Sequence, residues 1–491
     1  MKTIFSRICA FALVLSLCFG LVSCNLGKKG NTISTEVYEG DVIYVGNTAA
    51  TTGDGAKIGV PFNLGIQAAF AAYNEKGGFN GKKVALKHYD DGGDSAAAVT
   101  LMEKLIHEDE VFAIVGNYGT YAVEANLNIL KENCVPMVYA ASGAASLFNN
   151  NATSDGDRCI FPVQPLNQSE GQMLILRAFA PAFDSENNYL GGLGGTKVGV
   201  ISNSDEASKS MVDGIKLEAE ISGLTNIIYQ NVSSDDYSAA ASALQAAGCD
   251  VIIVTVVGSY FVSALTALAN VNYDKNVLTT YNNADASMFN NDEGRMTEAG
   301  ENIFSKMSIY AQGWLDINDL SYYFKDTESD LYNAYRFLGK IQKDENGNDL
   351  GVPGFTEKYW DAAIDIFNYA ASLNDKNIVP LLMSYNSYAL AGYIAGNLFC
   401  QALEEMEAQG KELTRMNLVE TLESKKFTLA MADEISYANG VRAGVQSYSL
   451  IAFFDAYDLP ADMGKTDYHA ASSNTVYPLA SIEDYRELLN K

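Results

Sequence analysis

Basic residues are scarce in this chain: 33 Lys and Arg stand against 60 Asp and Glu, a formal net charge of −27, and there are only three histidines. A polyanion of this kind is repelled by nucleic acid and by anionic lipid unless a basic patch intervenes. The densest basic runs are Lys28-Lys29, Lys82-Lys83 and Lys425-Lys426, so nucleic acid is excluded as the main partner. His88, His107 and His469 fall in no metal-ligand pattern. A Ser nucleophile elbow and a Walker loop are also missing. No metal, cofactor or catalytic residue is therefore expected. Cysteine is sparse once Cys9, Cys18 and Cys24 of the N-terminal segment are set aside. The remaining Cys134, Cys159, Cys249 and Cys400 have neither C-x-x-C nor zinc spacing; a Cys134–Cys159 bridge and buried free thiols both stay open. Long apolar runs are confined to the first 21 residues, so no other segment is expected to span a bilayer.

What is present begins with that segment. Lys2 and Arg7 precede the apolar run Ile8–Leu21, which is too short for a membrane span and fits a signal peptide over residues 1–23. Leu21-Val22-Ser23-Cys24 resembles a bacterial lipobox, in which the chain is cut before the cysteine and its sulfur is acylated. Cys24 is thus the expected lipidation site and the bilayer an expected partner. Residues 24–40 read as a polar tether. Removing residues 1–23 takes away Lys2 and Arg7 and no acid, which leaves −29 on an extracytoplasmic body held at a bacterial membrane.

From residue 41 strand-like and helix-like patterns alternate. Ile58, Phe62, Ile66, Phe70 and Tyr73 recur at helical spacing after the strand Asp41–Gly46, and Asp94 is a natural N-cap for the next helix. Strands separated by helices imply parallel βαβ crossovers, and a second series after Pro162 and Pro165 implies a second sheet. Residues from about 312 to 430 are mainly helical by pattern, with Tyr359–Leu373 and Tyr385–Met406 the clearest helices and Asp344–Gly351 a polar loop. Gly53-Asp54-Gly55-Ala56-Lys57-Ile58-Gly59 sits where a dinucleotide loop would, but its spacing is one residue too long, and its glycines read as shaping an open loop.

Asn74-Glu75-Lys76-Gly77-Gly78-Phe79-Asn80-Gly81-Lys82-Lys83-Val84, followed by Tyr89-Asp90-Asp91, resembles the signature of leucine/isoleucine/valine-binding proteins, the type I periplasmic receptors of ABC transporters. Val111–Gly116, Val135-Pro136-Met137-Val138-Tyr139 and Asp236-Tyr237-Ser238 continue the likeness in order. It covers residues 40–310 well, and Tyr385–Leu403 and Leu418–Phe454 more weakly. The resemblance implies an α/β fold of the periplasmic binding protein type I class: two Rossmann-like lobes joined by a three-segment hinge and closing on a small solute. Lobe 1 is expected over 41–163 with 310–437, and lobe 2 over 166–306 with 440–491. Crossings are placed at Pro162–Pro165, Lys306–Gln312 and Tyr437–Arg442.

Carried over residue by residue, Asn117, Tyr118, Gly119 and Thr120 match one loop that meets a ligand carboxylate, and Ala141, Ser142 and Gly143 match the second. Tyr388 matches an aromatic reaching the cleft. The chain has Ile58-Gly59 where the family often places a Tyr, and Asp205-Glu206-Ala207-Ser208 where a stacking Tyr stands. Where the family holds an acid for an amino-acid ammonium group, it has Tyr281-Asn282-Asn283. An ammonium would be without a counter-ion there unless Asp205, Glu206 or Asp285 supplied one. Asp205 and Asn282 are the second lobe's expected contacts. The implied function is a monomeric receptor that captures an amino acid, amide or related small acid and passes it to an ABC permease. The alternatives are a sensor serving a membrane kinase or chemoreceptor, and an exported nucleotide-using enzyme.

Overall fold

The computed structural model describes residues 32–291, 293–315, 342–343, 349–351, 357–375, 378, 386–455 and 469–490. The signal segment, Cys24 and most of the Asp344–Gly351 loop lie outside these. Two sheets organise the chain. The first contains β1 (Val42–Ala49), β2 (Lys83–Asp90), β3 (Ala113–Tyr118), β4 (Met137–Ala141) and β5 (Ile160–Phe161) in the order β2-β1-β3-β4-β5, with every neighbouring pair parallel. Its helices are α1 (Ala56–Glu75), α2 (Ser95–His107) and α3 (Thr120–Asn133). Asp94 caps α2 through Ala97 N, as its position before an apolar-periodic run requires.

The second sheet has seven strands. After α4 (Asn167–Phe179) come β6 (Val198–Ser202), α5 (Glu206–Ile221), β7 (Ile227–Asn231), α6 (Ser238–Ala247), β8 (Val251–Val254), α7 (Ser259–Asn270), β9 (Asn276–Thr279), α8 (Glu298–Phe304) and β10 (Ser308–Gly313). Two antiparallel strands, β13 (Ser447–Asp455) and β14 (Ala471–Ser481), complete the order β14-β13-β10-β9-β8-β6-β7. The chain thus forms two α/β lobes. Between these strands, α9 (Glu357–Ser372), α10 (Asn386–Ala408), α11 (Arg415–Ser424) and the hairpin β11 (Lys426–Thr428) with β12 (Glu434–Ser436) return to the first lobe. The C-terminal α12 (Ile482–Leu489) lies beside α4.

Burial explains the strand patterns. β3 and β4 are buried nearly throughout, as strands covered by helices on both faces must be, and they read as continuous apolar runs. Glycines let α1 approach β1: a Cβ on Gly55 would lie 2.5 Å from Ala50 Cβ. This is the loop-shaping role expected of the Gly53–Gly59 stretch. Arg177 of α4 is fully buried and donates to the carbonyls of Ser449 at 2.7 Å and Tyr448 at 2.9 Å, which ties α4 to β13.

Two expectations are corrected. The crossing placed at Lys306–Gln312 is strand: β10 pairs with β9 and β13, so residues 310–313 belong to the second sheet. The chain leaves that sheet after Gly313, and Trp314 packs in the cluster holding Phe62, Phe70 and Phe399 of the first lobe. The exit falls at Gly313, one residue beyond the expected crossing. Residues 32–40 are docked rather than a free tether. Ile33 is buried, its N–H donates to Asp155, Ser34 O accepts from Met416 N at 3.0 Å, and Tyr38 N donates to Leu413 O at 2.8 Å. A polar stretch gains order when neighbours satisfy its backbone, which composition does not reveal. Of the two readings left open for Cys134 and Cys159, the structure shows buried free thiols, with Cys134 Sγ donating to Lys131 O at 3.5 Å.

The other two crossings run side by side. Tyr437 Oη donates to Pro162 O at 3.0 Å and Val445 N to Val163 O at 2.8 Å. Arg442, buried, anchors this bundle by donating to Glu423 at 2.6 Å and Arg158 O at 2.9 Å, with its guanidinium over the Phe161 ring. Among the described residues no helix is long and apolar enough to cross a membrane.

Candidate functional site

The carboxyl ends of β3 and β4 meet at one point, and open parallel sheets bind ligands at such edges. α3 begins there with Gly119 as its N-cap at φ 96°, and no side chain caps it. Its first amides are therefore donors without helical acceptors, and the helix dipole adds positive character. Thr120 Oγ1 and Ser142 Oγ are hydrogen-bonded at 2.9 Å, and Gly119 N donates to Ala141 O at 3.3 Å. Ser142 Oγ also accepts from Ala144 N at 3.1 Å. At Gly143 a Cβ would lie 2.7 Å from Asn167 Oδ1, so only glycine lets the loop pass the start of α4. The structure thus brings Gly119, Thr120, Ala141, Ser142 and Gly143 together as a cradle of amides and hydroxyls.

Asn117 plays a different part. Its side chain is fully buried, and Oδ1 accepts from both the N–H and the hydroxyl of Thr48 at 3.0 Å. It holds β3 to β1 through Oδ1, while its Nδ2 is buried without a hydrogen-bond partner among the described residues. Behind it runs a polar chain: Thr51 hydroxyl to His88, His88 to Asn47 Oδ1 at 2.9 Å, and Asn47 Nδ2 to Asn63 and to Gly116 O. Burial lowers the His88 pKa, so the ring is a neutral member of this chain.

An aromatic wall flanks the cradle. Tyr118 and Tyr139 lie 5.4 and 5.9 Å from Phe62, centroid to centroid. Tyr139 has φ 62°, opposite Gly116 at φ 69°, so the two central strands share an irregularity in mid-ladder. A left-handed tyrosine is strained, and such strain gathers at functional sites. Its hydroxyl is buried with no hydrogen-bond partner among the described residues. Tyr388, partly exposed in the first turn of α10, and Tyr281 lie near enough to Tyr118 and Tyr139 to add to the upward pKa shift that burial imposes on them.

The second lobe's loops face this site differently. Asp205 is exposed at the start of α5, and its carboxylate accepts from Asn203 Nδ2 at 2.6 Å. Asn282 is exposed and donates to Thr280 Oγ1 at 3.2 Å. Asn283 is buried and binds Val256 O, Thr279 and Gly258 N. Glu170 of α4 is completely buried, accepting from Thr280 Oγ1 at 2.8 Å and Tyr281 N at 2.7 Å, and burial raises its pKa to about 7. Among the described residues neither Asp205 nor Asn282 has a hydrogen bond to the first lobe, whereas Glu206 accepts from Ala145 N at 3.2 Å. Sequence reasoning passed over Tyr139 and Glu170: Tyr139 reads as a strand residue, and a lone acid in a helix reads as exposed.

A family model described as periplasmic binding protein matches residues 42–311, more than half of the chain. The chain belongs to the periplasmic binding protein family. It is 24% identical over 239 residues to a Leu/Ile/Val-binding protein homolog 2 of Brucella abortus, a match covering 48% of this chain and 58% of that one. An amino acid binding protein of Pseudomonas aeruginosa is 22% identical over 212 residues, 43% of this chain and 52% of its own. The chain therefore spans little more than half the length of these curated relatives. Among solved structures, an ABC transporter substrate-binding protein from Sphaerobacter thermophilus superposes with a TM-score of 0.58 at 16% identity, covering 89% of this chain and 98% of that one. A leucine binding protein from Thermotoga maritima gives 0.54 at 16% identity, covering 90% and 100%. The fold is that of a type I periplasmic binding protein, as the resemblance implied. Proteins of this family bind solutes rather than turn them over, and they are extracytoplasmic.

Proposed function

We propose that the chain is an extracytoplasmic receptor that captures a small solute bearing a carboxylate, an amino acid, amide or related acid, between its lobes and delivers it to an ABC permease. The observation that carries this reading is the pairing of the Thr120 and Ser142 hydroxyls, 2.9 Å apart, at the uncapped N-terminus of α3. Amides and small hydroxyls donate to a carboxylate without filling the space it needs. The names of the amino-acid-binding relatives support the same solute class. Acylated Cys24 anchors the body to the membrane, and one copy of the chain suffices for a cleft built from its own two lobes.

A ligand that binds only the folded protein stabilises it by RT ln(1 + [L]/Kd), about 2.7 kcal/mol at a hundredfold excess over Kd. Thermal unfolding against a panel of amino acids, amides and small carboxylates tests the reading. At least one solute should raise Tm, and a panel without any shift would sink it. Mass spectrometry of the membrane-extracted protein should find a diacylated Cys24 at the N-terminus; an unmodified cysteine would remove the anchor.

A further inference from the structure

Residues 32–40 run along the edge of the first sheet where its strands begin. Ile33 is buried, and its N–H donates to Asp155 at 3.0 Å in the short helical turn that leads into β5. Ser34 O accepts from Met416 N and Tyr38 N donates to Leu413 O, both at the start of α11. Tyr38 Oη donates to Val42 O at 3.2 Å, at the first residue of β1, and its ring meets Phe112, just before β3, edge-on at 5.5 Å. Gly40 O accepts from Lys82 Nζ at 2.8 Å, just before β2. Every one of these partners belongs to the first lobe. Because the strands are parallel, their first residues share one edge, and the Thr120–Ser142 cradle lies at the other. The six residues of β3 put the two edges roughly 20 Å apart.

This docking shortens the reach from Cys24. An extended chain covers about 3.4 Å per residue, so the eight residues from Cys24 to Thr32 allow about 27 Å, whereas the seventeen from Cys24 to Asp41 would allow about 58 Å. Halving the reach decides which part of the body stays near the acyl chains. Charge does not: Glu36, Glu39, Asp41, Glu108 and Glu110 are exposed along this edge, and an anionic lipid surface repels them. A covalent leash that emerges beside Asp155 is what keeps the edge close.

We infer that residues 32–40 are a strap that holds the strand-start edge of the first lobe toward the bilayer, so that the lobe carrying the cradle is fixed at the membrane and the second lobe swings. This rests on the acylated-anchor reading and adds an orientation to it.

Energy transfer from a protein-bound dye to acceptor-labelled lipid tests it on the full acylated chain in phosphatidylcholine liposomes. The dye is carried by Glu132→Cys, at the strand-start edge of the first lobe, or by Thr225→Cys, between α5 and β7 at the matching edge of the second. Both positions are exposed, whereas Cys134, Cys159, Cys249 and Cys400 are buried. Transfer from position 132 should exceed transfer from position 225 about twofold or more. Ile33→Asp, which forces a charge into the buried site, should release the strap: transfer from position 132 should fall toward that from 225. Hydrogen exchange at the Tyr38 amide should then quicken about tenfold or more while the β3 amides stay protected. A variant that loses β3 protection has unfolded, and the two dye positions on the strapped chain then decide alone. Equal transfer from those positions, or a Tyr38 amide that exchanges as fast as in an unfolded peptide, would overturn the proposal and leave the anchor and receptor readings intact. A Cys24 without acyl chains, read by mass spectrometry of the same sample, would remove the anchor reading and the proposal with it.

Discussion

The two lobes share a scaffold and differ at the cleft. In the first, α1 and α10 touch backbone to backbone: a Cβ on Gly65 would collide with Ala389 O, and one on Gly392 with Phe62 O. In the second, α4 and α5 repeat the arrangement, Gly171 against Met211 O and Gly214 against Gln168 O. In all four cases the glycine faces the carbonyl three residues before the partner helix's own glycine. Such approach is open only to glycine and places Cα–H groups against carbonyl oxygens. The loops above these helices diverge. Helix starts without a side-chain cap occur in both lobes, α3 in the first and α5 and α7 in the second. The difference is that the first-lobe loops pair the Thr120 and Ser142 hydroxyls with each other, while the second-lobe loops spend their side-chain donors among Asn203, Thr280, Asn282 and Asn283. The difference teaches that the helix pairs serve packing in both lobes alike, and the proposed reading makes the first lobe the docking surface and the second its cover.

The largest expected effect tests the shared half of that comparison. Gly392→Val and Gly214→Val each drive a branched side chain into a carbonyl of the facing helix, and overpacking of this kind costs about 3 kcal/mol or more. Urea unfolding should show both variants losing stability by similar amounts. A marked loss in one lobe and tolerance in the other would break the equivalence of the two helix pairs.

One position within these pairs is not equivalent: Gly171 follows the buried Glu170, where Gly392 follows Ala391. Burial raises the Glu170 pKa from 4.5 to about 7. Below pH 4.5 the group is protonated in folded and unfolded chains alike. Between pH 4.5 and about 7 the unfolded chain ionises first, so folding stability from this group falls as pH rises, by about 3 kcal/mol in total, and levels off above. Glu170→Gln should remove that decline, so the stability difference between variant and parent, measured by urea unfolding from pH 4.5 to 8, should grow in the variant's favour. A difference independent of pH would show that Glu170 is ionised throughout.

The shared scaffold was legible in the sequence and the divergent loops were less so. Apolar runs such as Val111–Val115 and Asp250–Val257, and helical spacing at Phe62, Ile66 and Phe70, report burial directly, because periodicity is the imprint of the core. The apolar face of α5 is marked in the same way by Met211, Val212 and Ile215. The cradle residues come from the family resemblance, carried over loop by loop, and not from any periodicity in the chain. Tyr139 comes from neither, because a positive φ in a strand arises from the neighbouring ladder and leaves no mark on residue type. Loop polarity does not say how the Asn117 side chain is oriented; Thr48, 69 residues earlier in the chain, fixes its Oδ1. The second crossing was misplaced for the same reason: β10 is made by its partners β9 and β13, and one of those lies some 140 residues later.

The divergent half of the comparison is tested on binding. Thr120→Val and Ser142→Ala each remove a hydroxyl from the cradle, and a hydrogen bond to a charged group contributes about 1.5–3 kcal/mol. Affinity for a bound carboxylate should fall roughly tenfold to a hundredfold in each. Asn282→Ala, in a loop that already spends its donors internally, should change affinity less than threefold. Calorimetry on the three variants decides between lobes. Equal losses on both sides would mean that the solute is held by both lobes from the start.

The smallest effect concerns closure itself. Glu206 Oε1 accepts from Ala145 N at 3.2 Å across the cleft, at an exposed position where water competes for both groups. A solvent-exposed contact of this type contributes about 0.5 kcal/mol, far less than the cradle's hydrogen bonds. If the second lobe acts only as a cover, Glu206→Ala should leave the solute on-rate unchanged and raise the off-rate about twofold, because capture on the first lobe precedes the contact and release must break it. Stopped-flow binding separates the two rates. A fall in the on-rate instead would place the Glu206 contact before capture, and the second lobe would then take part in recognising the solute rather than in retaining it.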